Sequence, residues 1–184
     1  MTARHSPLIG LGLAAMLAGC TDAHEYGPDS PHYAYPTGMT IELLQPLAIP
    51  PGEATVRLQY GRTVARNGVQ EVDPYCVFEI DTVSASAQTV PPARFRVIRV
   101  QRRMETFSGM PALPWRAFAV GLGRDDGPSH LYYVTEFRLQ ANGHPVVRSL
   151  ACQHNVADVA IPRHLTLAEM RQALGDYFSL DLAR

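Results

Sequence analysis

Residues 131–153 read LYYVTEFRLQANGHPVVRSLACQ, two arms of alternating apolar and polar residues around Asn142-Gly143. That dipeptide is typical of a two-residue type I′ turn, so the stretch predicts an antiparallel β-hairpin. The predicted register pairs are Leu139 with Val146, Thr135 with Leu150, and Tyr133 with Cys152. One face of the hairpin then collects Leu131, Tyr133, Phe137, Leu139, Val146, Leu150 and Cys152. Because the apolar patterns of both arms agree, this face is expected to be buried.

Alternation with period two recurs elsewhere and predicts more short strands. In residues 75–80, Cys76, Phe78 and Ile80 share one face. Residues 94–103 place apolar residues on both faces, so the middle of that strand is expected to be buried on both sides. Asn67-Gly68 is a further hairpin-type dipeptide. The predicted strands are residues 40–43, 54–60, 75–80, 94–103 and 115–120.

The end of the chain predicts one short helix. Thr166 and Glu169 have the spacing of a capping box, and Leu165 with Met170 has that of a hydrophobic staple. Gly175 is expected to end the helix after about two turns. The predicted fold is therefore mainly β (α+β): a single antiparallel sheet, sandwich or partly open barrel, with this helix packed on it.

The first twenty residues have the layout of an export signal. Arg4 and His5 precede an apolar run over residues 8–17, which is shorter than the roughly 20 residues that span a bilayer. Residues Leu17-Ala18-Gly19-Cys20 resemble the lipobox of bacterial lipoproteins. The resemblance implies that Cys20 receives a diacylglyceryl group and becomes the first residue of the mature chain. An ordinary signal cleavage site and a retained transmembrane helix are the alternatives.

This interpretation divides the chain into three parts. Residues 1–19 are the lipoprotein signal peptide, residues 20–38 are the lipidated N-terminus and a flexible tether, and residues 39–184 are a single β-rich periplasmic domain. The stretch after Cys20 is rich in Pro, Gly and Tyr and has no apolar periodicity. No internal repeat or second domain is indicated.

The charge balance argues against nucleic acid as a partner. Of 16 basic and 17 acidic residues only Arg4 falls in the signal, which leaves a net charge of −2 with His neutral. Every basic residue is Arg, and a GC-rich genome is the simplest reason. Five arginines gather in one predicted strand, at 94, 96, 99, 102 and 103. They are candidates for binding an anionic envelope component or an acidic protein, although pairing with Asp and Glu on neighbouring strands is the simpler interpretation.

If Cys20 carries lipid, two cysteines remain, and an even number in an exported chain predicts a Cys76–Cys152 disulfide. The alternative is a metal site or an enzymatic site that uses Cys152 and His154, which fall on the same side of a strand. No zinc-type spacing, His-Glu-x-x-His helix, Gly-x-Ser-x-Gly elbow or phosphate-binding loop is present. His130, His144 and His164 lie near predicted turns and are expected at the surface. No catalytic residue, metal ligand or cofactor is therefore assigned.

The chain is similar to uncharacterised proteobacterial lipoproteins in the pattern Pro74-x-Cys76-x-Phe78-Glu79 and the later Leu150-x-Cys152. This resemblance implies no particular activity. Thr21, rather than Asp, follows Cys20. In enterobacterial lipoproteins, an Asp at this position retains the protein in the inner membrane, so the resemblance implies that this chain is anchored on the periplasmic side of the outer membrane. The inner membrane is the alternative location, because sorting rules differ among bacteria. The sequence favours a lipid-anchored, non-enzymatic binding or structural module.

Overall fold

The computed structural model describes residues 26–106, 130–140, 147–156 and 162–182. The predicted signal, Cys20, the predicted strand at 115–120 and the Asn142-Gly143 turn lie outside these ranges. The strands are β1 (Thr40–Leu43), β2 (Leu47–Ile49), β3 (Thr55–Gln59), β4 (Arg62–Val64), β5 (Tyr75–Ile80), β6 (Gln88–Val90), β7 (Ala93–Glu105), β8 (Tyr132–Gln140), β9 (Val147–Asn155) and β10 (Phe178–Asp181). The helix α1 is Leu167–Leu174.

Eight of these strands form one antiparallel sheet in the order β10-β1-β7-β8-β9-β5-β3-β4, and β2 pairs with β6 separately. The large sheet curls into a half-barrel. Its inner face carries the apolar set of each strand, including Phe78, Phe95, Phe137 and Leu150, all fully buried. The mainly β prediction with one C-terminal helix is therefore confirmed, and β2, β4, β6 and β10 are short strands outside the predicted ones.

Helix α1 packs across the open side of the half-barrel, against β3, β5 and β10. Its capping box forms as predicted: the backbone N–H of Glu169 donates to the Thr166 hydroxyl, and the N–H of Thr166 donates to the Glu169 carboxylate at 2.8 Å. At the other end Gly175 has φ +55°, and a Cβ there would lie 2.3 Å from the Cα of Gly61. The close approach of two glycines therefore joins the helix to the β3–β4 hairpin.

The tight turn of type I′ geometry lies at Tyr60-Gly61. Both residues have positive φ, 54° and 74°, and Gln59 pairs with Arg62 across them. Asn67-Gly68, the predicted hairpin dipeptide, instead ends a 3-10 helix over Arg66–Gly68. That prediction is wrong because the chain at Gly68 turns without the positive φ that a type I′ turn requires.

The β8–β9 hairpin forms with a register two residues away from the predicted one. Thr135 pairs with Cys152, and Phe137 pairs with Leu150. Since side chains alternate with period two, a shift of two residues leaves every side chain on its predicted face. Phe137, Leu139, Leu150 and Cys152 are buried as predicted, whereas Leu131 and Tyr133 are only partly buried. The individual partners are corrected.

A β-bulge interrupts β7 at Ile98, between the pairs Val97–Leu139 and Arg99–Arg138. The inserted residue is 49% exposed, which contradicts the prediction that the middle of this strand is buried on both sides. Before the bulge Phe95 and Val97 face inward, and after it Val100 occupies the inward position opposite Phe137. An inserted residue shifts the alternation by one position, which a strictly periodic interpretation does not allow.

The folded part begins earlier than Met39. Tyr35 is 6% exposed and packs edge-on against Phe137 with ring centroids 5.2 Å apart. The backbone N–H of Gly38 donates to the Val97 carbonyl at 2.7 Å, and the Val97 N–H donates to the Met39 carbonyl at 2.9 Å. Residues 33–38 therefore belong to the domain, because two tyrosines in this Pro-rich stretch supply apolar surface without any apolar periodicity in the sequence.

Candidate functional site

The β7 bulge separates the five predicted arginines. Arg94, Arg96, Arg99 and Arg103 lie on the outer face of the sheet, whereas Arg102 lies opposite Thr135 on the inner face. Side chains opposite each other in an antiparallel pair share a face, so the register alone establishes this division. The predicted set is therefore two sets with different surroundings.

Two of the outer arginines have carboxylate partners. The Arg94 Nε atom lies 3.1 Å from the Glu42 carboxylate on β1, and Arg103 contacts both Glu105 and Glu136. The Arg94 side chain is 77% exposed, so its pair contributes little to stability. For these two arginines the simpler interpretation, pairing with acidic residues on neighbouring strands, is confirmed.

Arg102 holds the N-terminal segment. It donates to the Pro31 carbonyl at 3.0 Å, and its guanidinium carbon lies 5.5 Å from the centre of the Tyr35 ring. Burial lowers the pKa of Arg102 while the nearby Tyr35 acts in the opposite sense. This arginine anchors Tyr35 over the core and does not belong to an exposed anion-binding surface, which corrects its assignment.

Arg96 and Arg99 are exposed, and the fold adds a third arginine to them. Arg138 of β8 lies directly opposite Arg99, and Gln140, two residues further along β8, lies opposite Arg96. Two residues along a strand span about 7 Å, so the three guanidinium groups start from neighbouring positions on one face. We call Arg96, Arg99 and Arg138 the basic patch.

Two acidic residues on the outer face near the basic patch are already engaged, whereas Asp181 of β10 lies two strands away from Arg96, on the far side of Thr40. Glu136, the nearest carboxylate on β8, binds Arg103, and Glu79 on β5 binds Arg148 and the Ser149 hydroxyl. Among the residues that the structure describes, none forms an ion pair with the patch. Like charges directly opposite each other are unfavourable in a sheet, so an anion bound between Arg99 and Arg138 would offset their mutual repulsion.

Ile98 adds an apolar group to the same region, because the bulge places it beside Arg99 with half of its surface exposed. A shallow depression lined by Thr40, Arg94, Phe95, Arg96 and Gln140 adjoins the patch. The surface thus combines planar, always charged donors with one exposed aliphatic side chain. Such a surface can bind phosphate or carboxylate groups bidentately.

The two candidate thiols are not available for metal or nucleophilic chemistry. Cys76 and Cys152 lie opposite each other on β5 and β9 and form a disulfide, as predicted. His154, the other candidate ligand, has its Nε2 atom 2.9 Å from the Arg163 carbonyl oxygen. In the described part of the chain, no three His, Cys, Asp or Glu side chains are grouped so that they could hold a metal ion.

His164 is only partly exposed and packs against its neighbours, whereas a surface position was predicted. Its Nδ1 atom lies 3.3 Å from the Thr135 hydroxyl, and its ring packs edge-on against Tyr133. Burial, together with the charges of Arg102, His154 and His32, lowers the pKa of His164 to about 4. The imidazole is therefore neutral at physiological pH and acts as part of the packing.

Neither the place of Arg138 in the patch nor the exposure of Ile98 was predicted from the sequence. Outward alternation in Phe137-Arg138-Leu139 signals that Arg138 is exposed, but only the β7–β8 register shows that it faces Arg99. In the ranges that the structure describes, no helix is long and apolar enough to cross a membrane.

Comparison of the chain with protein-family models, curated proteins and solved structures finds no match. Any function has to follow from the chain's own residues.

Proposed function

We propose that the chain is a lipid-anchored cell-envelope protein that acts as a non-enzymatic binding module. Cys20, at the end of the Leu17-Ala18-Gly19-Cys20 lipobox, carries the lipid and attaches the domain to the periplasmic side of the outer membrane. The inner membrane is the alternative location. The basic patch binds an anionic component of the envelope.

The basic patch is the observation that supports binding. Three arginines on adjacent strands face the same way, and among the described residues no carboxylate pairs with them although other arginines on the same face are paired. The protein as a whole has a net charge of −1. A local excess of positive charge on a nearly neutral protein therefore favours a specific anionic partner over general attraction to polyanions.

The disulfide supports an exported location. Cys76 and Cys152 are fully buried and joined across two central strands. Structural disulfides persist in oxidising compartments such as the bacterial periplasm and are rare in the cytosol. The same bond weakens the alternative function, because a sulfur atom in a disulfide offers no thiolate to a metal or substrate.

Photo-crosslinking in intact cells tests the binding function. A photo-reactive amino acid in place of the exposed Gln140, next to Arg96, is expected to capture a partner, and the triple substitution R96E/R99E/R138E is expected to abolish the adduct. The matched control is R62E, which reverses an exposed arginine on β4, five strands away from β7. An adduct that persists unchanged in the triple variant contradicts the proposed function of the patch.

A further inference from the structure

A second, smaller hydrophobic cluster lies on the outer face of the sheet, away from the main core. Tyr75 of β5 and Tyr132 and Val134 of β8 are buried there, and Val69 packs against them. Val69 belongs to the connection between β4 and β5, residues 65–74. This connection therefore covers one end of the outer face and gives it an interior of its own.

Hydrogen bonds hold the β4–β5 connection in place. The buried Gln59 side chain donates to the Gln70 carbonyl at 2.8 Å and accepts from the Gln70 N–H at 2.9 Å. The Tyr132 hydroxyl donates to the Glu71 carboxylate, and the Asn155 N–H donates to the Glu71 carbonyl at 2.6 Å. A surface that is fixed in this way needs little ordering when a ligand binds.

A cleft of about 510 Å³ is present where this connection meets β3 and β5. That volume is within the range of sites that bind small molecules. The lining combines apolar side chains with two arginines and two glutamates. It consists of Glu53, Arg57, Ala65, Arg66, Asn67, Val69, Glu71 and Tyr75. We call it the Arg57 cleft.

Arg57 is the unusual member of this lining. Its side chain is only 15% exposed, and the Glu53 carboxylate with which it pairs lies 3.7 Å away, beyond hydrogen-bonding distance. None of the described residues accepts a hydrogen bond from its guanidinium. Burial lowers the pKa of Arg57, the charge of Arg66 lowers it further, and Glu53 acts in the opposite sense. A guanidinium withdrawn from water is unfavourable unless acceptors reach its N–H groups, so an anion in the cleft would stabilise it.

The charges of the cleft favour a carboxylate over a phosphate dianion. The two glutamates of the lining balance its two arginines, so the cleft as a whole has no excess of positive charge to hold a second negative charge. A carboxylate brings a single charge and matches the paired donors of a guanidinium. The apolar part of the lining offers a surface to whatever body carries that carboxylate.

We infer that Arg57, with the exposed Arg66 beside it, binds the carboxylate of a small organic acid whose apolar body rests against Val69 and Tyr75. The cleft is separate from the basic patch, since β3 lies three strands away from β8 in the sheet. It needs neither the patch nor the lipid at Cys20. The cleft therefore adds a second ligand to the proposed function without depending on it, and failure of either leaves the other standing.

Isothermal titration calorimetry of the full-length protein, purified in a non-ionic detergent, tests this site. The probe is 3-phenylpropanoate, which is expected to bind with a dissociation constant of about 1 mM or below. Its amide has the same body without the charge and is expected to bind about tenfold more weakly or not at all, as is inorganic phosphate. An acetylated tripeptide that ends in phenylalanine distinguishes a peptide terminus from a free acid as the source of the carboxylate.

Variants assign the binding to the cleft. Arg57→Gln is expected to weaken the binding of 3-phenylpropanoate about tenfold or more, whereas the matched control Arg62→Gln, at an exposed arginine outside the cleft, is expected to leave it unchanged. Ala65→Trp fills the cleft from an exposed position and keeps both arginines, so it is expected to abolish binding even if Arg57→Gln does not fold.

Several results would overturn the inference. They are equal binding of the acid and the amide, unchanged binding in Arg57→Gln or Ala65→Trp, tighter binding of inorganic phosphate, and no binding of either carboxylate. Tighter binding of the tripeptide than of the free acid supports the carboxylate site and assigns it to the end of a peptide.

Discussion

Removing the Cys76–Cys152 disulfide is expected to cost a large part of the stability of the domain. The bond joins residues 76 positions apart, and cross-linking a loop of that size stabilises the fold by about 4 to 5 kcal/mol through the lost entropy of the unfolded chain. Alanine is the appropriate replacement because both positions are fully buried, and a serine hydroxyl there would lack a hydrogen-bond partner. For a domain of typical stability, about 5 to 15 kcal/mol, the variant C76A/C152A is expected to be marginal.

Urea denaturation followed by circular dichroism measures this effect. The free energy of unfolding of C76A/C152A is expected to fall by about 4 kcal/mol or more, and its m-value to rise, because an unfolded chain without the cross-link exposes more surface. The wild-type protein unfolded with a reductant is the matched control, since it keeps both sulfur atoms and lacks only the bond. A loss below about 1 kcal/mol with an unchanged m-value refutes the entropic reasoning.

Three further predictions concern single residues. Gly175→Ala is expected to lower the free energy of unfolding in urea by about 2 to 4 kcal/mol, since it combines a positive φ with a clash against Gly61. The control Gly52→Ala, at a residue with a positive φ and open space around it, is expected to lower it clearly less. Equal losses in the two variants would contradict the close approach of Gly175 and Gly61. The pKa of His164 is lowered to about 4 from 6.5, so between these two pH values the unfolded chain binds a proton that the folded protein does not. The free energy of unfolding is therefore expected to be highest above pH 6.5 and to fall by about 2 to 3 kcal/mol on acidification towards pH 4. In a pH series of denaturation curves, His164→Gln is expected to reduce this pH dependence, and an unchanged dependence would assign it to other groups. Tyr35→Phe is expected to leave the free energy of unfolding unchanged or to raise it, because the buried hydroxyl has no hydrogen-bond partner among the described residues. Tyr35→Ala is expected to lower the free energy of unfolding by about 3 to 5 kcal/mol. A marked decrease in the Phe variant would mean that the hydroxyl is hydrogen-bonded.

The alternation of side chains predicts which residues are buried but not which residues meet. In the β8–β9 hairpin, Thr135, Phe137, Leu150 and Cys152 occupy the predicted inner face, yet their partners differ from the predicted ones by two residues. Two registers that differ by two residues place the same side chains on the buried face, so only packing against the rest of the sheet determines which register forms. The Cys76–Cys152 pair depended on cysteine count alone and was therefore predictable.

The sequence predicted two of the three arginines of the basic patch, because strand pairing decides which arginines share a face. Arg96 and Arg99 stand out in the sequence, but the same cluster contains Arg102, which faces the core, and Arg103, which is paired with Glu105 and Glu136. The bulge at Ile98 changes which arginines face outward, and no local signal marks it. Arg138 joins the patch only through strand pairing, which a single sequence does not reveal.

Mass spectrometry of the N-terminal peptide from protein expressed in a bacterium with lipoprotein processing measures the anchor directly. A chain that begins at Cys20 and carries a diacylglyceryl group is the expected result. A chain that keeps residues 1–19, or begins at an unmodified Cys20, contradicts the lipid anchor and with it the proposed place of the domain at a membrane surface.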